Sequence, residues 1–138
     1  MNDAEYRKAL LRIRKVIGKW HDALGLGWWR ITYAYDREGE MADGKDRAAR
    51  NVAGTATVDW RYKHGTLTFN VPVLSEMDDE ELERVVMHEQ VHVLVNELRE
   101  DGIEHEERVV SELTSAFKWV EEHKFGKKPI AVPKKAVT

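Results

Sequence analysis

The segment His88-Glu89-Gln90-Val91-His92 sets two imidazoles four residues apart, with a carboxylate beside the first. On a helix, residues i and i+4 lie about 40° apart around the axis and about one turn apart in height. Two imidazoles so placed can grip one metal ion. Glu89 leans toward the same cleft, where a carboxylate can take a proton from water without serving as a ligand. One zinc ion suits this pattern, because zinc accepts imidazole and carboxylate donors, acidifies water and polarises a carbonyl group. The 138-residue chain has no cysteine, so thiolate nucleophiles, disulfides and cysteine zinc sites are excluded. Any metal must sit on His, Asp or Glu.

A zinc site needs at least a third protein ligand, and His105, Glu106 and Glu107 follow on the next segment of helical pattern. Glu107 is preferred, because it falls on the flank of that helix beside Val110, Ser111 and Thr114, where an open cleft is expected. Glu106 falls near the middle of the apolar face and is the alternative third ligand; His105 ranks after both. An acid there that does not bind metal favours the helix dipole.

The elements that must hold these groups follow from periodicity. From Asp3 to about Leu24, apolar residues at Tyr6, Leu10, Ile13, Ile17, Trp20 and Leu24 form one helical stripe, which Gly25 and Gly27 stop. The aromatic and β-branched run 28–35 predicts a strand. Residues 36–50 are polar, aperiodic and contain Lys45, Arg47 and Arg50, so a long loop is expected there, disordered more readily than binding. Residues 52–62 and 66–71 flank Lys63-His64-Gly65 and predict a hairpin, closed by Pro72. A helix from about Asp78, with Asp78 or Asp79 as N-cap, to Glu100 carries the histidines, with Leu82, Val86 and Val93 on one flank and Met87, Leu94 and Leu98 on the other. His88 and His92 point away from the centre of that apolar arc. Gly102 breaks the chain, and a last helix from about Glu104 to His123 carries apolar Val109, Val110, Leu113, Phe117 and Val120 on one side. The order predicts an α+β fold: an N-terminal helix, a three-stranded, mostly antiparallel sheet, then the histidine helix and a glutamate-bearing helix. One domain over residues 1–123 and a basic, extended tail over 124–138 are expected.

Net charge is −3, which argues against a dedicated nucleic-acid binder. The distribution is lopsided: residues 76–122 hold sixteen acids and four bases, whereas the tail has five lysines and no acid. Solvated helix faces account for most of this, and weak nucleic-acid contact through the tail is the second reading. No apolar run approaches the roughly 20 residues that span a bilayer, and no signal-peptide pattern opens the chain, so a cytoplasmic protein without membrane contact is expected. The five tryptophans are expected in core and rim packing, and His21, His64 and His123 at surfaces or turns.

From about Val52 to Val120 the sequence resembles zincin-type metallopeptidases, and among them the short zincin-like proteins of phage and prophage genomes. The strand Leu67-Thr68-Phe69-Asn70-Val71, the acidic helix start Asp78-Asp79-Glu80-Glu81-Leu82, the histidine motif and Glu106-Glu107-Arg108-Val109-Val110 carry the resemblance. It implies a zincin-like domain in which His88, His92 and Glu107 bind zinc and Glu89 is the general base for hydrolysis of a peptide or protein substrate. It also implies that the strand at 66–71 is an edge on which an extended peptide docks. The glycine and third histidine of metzincins are absent, and the fourteen residues between His92 and Glu107 are fewer than in well-studied gluzincins. The alternative is a non-catalytic zincin-like module that uses zinc structurally and binds a protein or nucleic-acid partner. Tyr33, Tyr35, Tyr62 and His64 are the oxyanion candidates by chemical type.

Overall fold

A computed structural model describes residues 1–40, 52–100 and 102–123. The basic residues of the expected loop and the whole tail from 124 lie outside the described residues. Asn2 opens the first helix with a capping box: its side chain accepts from the Glu5 N–H at 2.8 Å, and Glu5 accepts from the Asn2 N–H at 3.1 Å. Helix α1 (Asp3–His21) buries Ala9, Ile13, Val16, Ile17 and Trp20, the stripe that the spacing predicts. The chain turns at Gly25, whose φ of 76° suits a residue without a Cβ. A short 3-10 turn, Leu26–Trp28, leads into β1 (Arg30–Asp36), followed by β2 (Gly54–Asp59) and β3 (His64–Asn70). Then come α2 (Val71–Ser75), α3 (Asp79–Val95), a 3-10 segment Asn96–Glu100 and α4 (Ile103–Glu122).

The fold is α+β, but the sheet is mixed where a mostly antiparallel one was expected. Strand order is β1-β3-β2, with β3 antiparallel to β2 and parallel to β1. The β2–β3 hairpin forms, but its turn lies at residues 60–63, and His64 and Gly65, expected in the turn, open β3. The long connection between β1 and β2 lets β2 settle one strand further out, and β3 returns through the gap. Hence the strand at 66–71, expected to be an edge, is the centre of the sheet with both sides hydrogen-bonded. Among the described residues, β2 is an edge beside the histidine helix. Pro72 stands in the first turn of α2, where its missing N–H costs nothing, and Asn70 caps that helix by accepting from the Val73 N–H at 3.3 Å.

Alternation along β3 buries Gly65, Leu67 and Phe69 on one face and turns Thr66 to the other. The buried face meets α3, which also packs against α1, β2 and α4. Enclosure on so many sides explains why α3 buries polar as well as apolar residues: Glu83, Glu89, Gln90 and His92 with Leu82, Val86, Met87, Val91 and Val93. The sequence pattern assigned its polar side to an open cleft, and only Leu94 of the expected apolar flanks is exposed. Asp78 caps α3, accepting from the Glu81 N–H at 2.8 Å, and the regular helix stops at Val95, before the expected Glu100. Trp28, expected in packing, is 85% exposed. No helix among the described residues is long and apolar enough to cross a membrane.

Buried charge ties three helices together. Glu83 of α3 receives Lys118 of α4 and, at 2.9 Å, Lys19 of α1. Burial pushes the Glu83 carboxyl up, but hydrogen bonds from the two lysines outweigh it and hold the group below its ordinary value. The stability it supplies is therefore present above the unfolded-state pKa and lost as pH falls through the lowered one. Replacing Glu83 by Gln leaves buried Lys118 without its carboxylate and is expected to cost about 3 kcal/mol near neutral pH. Denaturant unfolding should show that gap narrowing as pH falls through the carboxylate range. A gap independent of pH would place the effect in packing.

Candidate metal centre

His88 and His92 sit one turn apart on α3, and α4 crosses that turn with its own first two turns. The three side chains converge. His88 Nε2 lies 3.2 Å from His92 Nε2 and 3.1 Å from Glu107 Oε2, and His92 Nε2 lies 2.9 Å from Glu107 Oε1. A tetrahedral zinc ion with bonds of about 2.0–2.1 Å keeps its ligand atoms about 3.3 Å apart. The two histidine nitrogens are close to that figure, each has a different Glu107 oxygen beside it, and the donor types suit zinc. Burial, and then the neighbouring His92, push the His88 imidazole below its ordinary pKa, against the opposing pull of Glu107. That favours the neutral, ligating form.

Glu106 stands behind His92. It is 1% exposed, and its Oε1 accepts from His92 Nδ1 at 2.8 Å while its Oε2 accepts from Arg99 Nε at 2.8 Å. A proton on His92 Nδ1 satisfies the Glu106 carboxylate, and His92 Nε2 is the nitrogen turned toward His88 and Glu107. The structure thus brings Glu107 to the histidine nitrogens and uses Glu106 to orient one of them, an arrangement common around metal-binding histidines. The apolar face of α4 at this point ends against the back of His92, which is why Glu106 is buried. His105 is exposed and stands outside the group.

Glu89 is buried and packs under the start of β2. A Cβ built on Gly54 would fall 2.8 Å from Glu89 Cγ, so any side chain at 54 would displace the carboxylate. Burial, then the charges of Glu107 and Glu106, push the Glu89 carboxyl up to about 8, against the opposing charge of Arg99. Gly54 is a site residue that the sequence reading passed over. Its signal was present, since a glycine inside a strand marks a close approach by another group. None of the oxyanion candidates joins this cluster. The Tyr33 hydroxyl bonds His21 Nδ1 at 2.7 Å and Gln90 Nε2 at 3.2 Å; Tyr35 lies against Phe69; Tyr62 and His64 stack on each other beyond the other end of β2. His123 stacks on Trp119.

No family model matches the chain, and no curated protein or solved structure matches it either.

Zinc titration against a competing chelator separates the two glutamates. Glu107→Gln is expected to weaken zinc by more than Glu106→Gln, for which a loss of about 10–100-fold is expected of an outer partner. Wild-type affinity in Glu107→Gln would remove that residue from the ligand set.

Proposed function

We propose that the chain is a small zincin-type metallopeptidase that hydrolyses peptide bonds, with one zinc ion held by His88, His92 and Glu107. The observation that carries this reading is the convergence of those three donors within hydrogen-bonding distance, next to a buried carboxylate on the same helix. Zinc bound there would supply Lewis acidity toward the scissile carbonyl and would acidify the attacking water. Glu89 takes the proton of that water and passes it to the departing amine. Zinc held by these three donors would favour the ionised form of Glu89, the form that accepts a proton. Glu106 keeps His92 in the tautomer that ligates. The extended substrate adds to the edge of β2 that pairs with no other strand among the described residues, which Gly54 brings over Glu89.

A second reading has one observation in its favour: the donors come from α3 and α4, so zinc there also clasps two helices. In that reading the domain is a non-catalytic module and the metal serves its stability. Glu89→Gln distinguishes the two. The variant is expected to bind zinc as wild type does and to lose about 10²–10⁴-fold in turnover on a quenched peptide library. Gly54→Ala should lower turnover in the same way with zinc retained. Cleavage by Glu89→Gln at the wild-type rate would sink the mechanism, and a wild type that holds zinc but cuts no peptide supports the clasp.

A further inference from the structure

The outer face of the sheet, turned away from the helices, has a chemistry unlike the rest of the surface. Register puts Arg30, His64 and Asp59 in one row across the strands and Thr32, Thr66 and Thr57 in the next. Side chains in a row share a face, so three exposed threonine hydroxyls lie side by side. Asp59 is the one acid in these rows, and its Oδ1 is engaged by the Arg61 N–H at 3.1 Å. Beyond the first row the sheet ends in exposed rings. Trp28 is 85% exposed and Tyr62 75%, with the Tyr62 ring parallel to His64 at 6.4 Å. The Arg30 N–H donates to the Lys63 carbonyl at 2.9 Å, which pins the segment bearing Trp28 beside the turn bearing Tyr62. Lys63 adopts a φ of 54°, which tightens that turn.

Trp28 is followed closely by Arg30, and Tyr62 stands between Arg61 and Lys63, so exposed rings and cations share this end of the sheet. Residues 76–122, which include the helices α3 and α4 behind the sheet, hold sixteen of the chain's 25 acids. A polyanion is thus repelled by one layer and received by the other.

We propose that this tip and the threonine row form a binding site for single-stranded nucleic acid, with bases stacked on Trp28 and Tyr62 and the backbone lying along Arg30, Lys63 and the hydroxyls. Stacking rings accept any base, and hydroxyls and cations contact phosphate without reading sequence. A duplex fits less well, because its bases are already stacked. The site is independent of the metal centre: five strand steps from Gly54 to Asp59 span about 17 Å.

The test is fluorescence anisotropy of the full chain with a labelled 20-nucleotide oligothymidine, a duplex of equal length, and vesicles containing phosphatidylserine. Oligothymidine is expected to bind more tightly than the duplex and to quench tryptophan emission. Trp28→Ala with Tyr62→Ala should weaken binding by at least about tenfold. Arg30→Gln with Lys63→Gln should lower the slope of log affinity against log salt by about 1.4, since each phosphate contact contributes about 0.7 on a single strand. Both pairs are checked for a wild-type melting curve, and the second pair decides if the first unfolds. The proposal is overturned if oligothymidine fails to bind, if the duplex is preferred, or if only the vesicles bind. It is equally overturned if well-folded variants of both pairs bind like wild type, which would assign the binding to the lysine-rich tail.

Discussion

A carboxylate taken out of water has to be met by donors, and the pairing of Glu106 with His92 and Arg99 is how this domain meets that demand at its most enclosed point. The pairing holds α4 against α3 and the Asn96–Glu100 segment against both. It also fixes the orientation of the His92 ring, and so turns Nε2 toward His88 and Glu107. Remove the carboxylate and a buried imidazole and a guanidinium both lose their partner. The rest of the cluster depends on that alignment, because Glu107 reaches His88 and His92 only while α4 keeps its phase.

Three buried carboxylates in one small core have been given different surroundings. Glu83 is met by two lysines and stays below its ordinary pKa. Glu106 is met by an arginine and an imidazole. Glu89 has no hydrogen-bonding cation among the described residues and lies near the like charges of Glu107 and Glu106, so its carboxyl is pushed up to about 8. The first two arrangements cross-link helices. The third leaves a proton-accepting group whose charge state answers to whatever is bound beside it, which suits a base better than a strut. Gly54 completes this arrangement from the sheet side by giving the Glu89 side chain room that no other residue would leave.

The sheet separates two environments. Its inner face, through Leu67 and Phe69, anchors α3 and so the histidines; its outer face shows hydroxyls, with cations and rings at one end. Because β3 is central, shifting it would disturb both at once. A core in which one strand supports both faces is also a core with little slack, consistent with α3 being buried nearly all round.

Much of this was legible before any coordinates. The capping signals at Asp78, the stripe Ile13, Ile17, Trp20 and the i,i+4 histidines are local features, because helix geometry alone brings residues four apart to one face. The hairpin was legible for the same reason, since alternation and a short turn lie within one stretch of chain. Strand order was not. Sequence periodicity says which face of a strand is buried and nothing about which neighbour it pairs with, so the parallel β1–β3 pairing and the edge position of β2 emerged only from packing. The motif specified two imidazoles and a carboxylate. Whether Glu106 or Glu107 faces them depends on how far α4 is rotated against α3, about 100° per residue, and adjacent residues on a helix carry nearly the same composition signal. Tertiary packing set that rotation, placing Glu107 at the nitrogens and Glu106 behind His92.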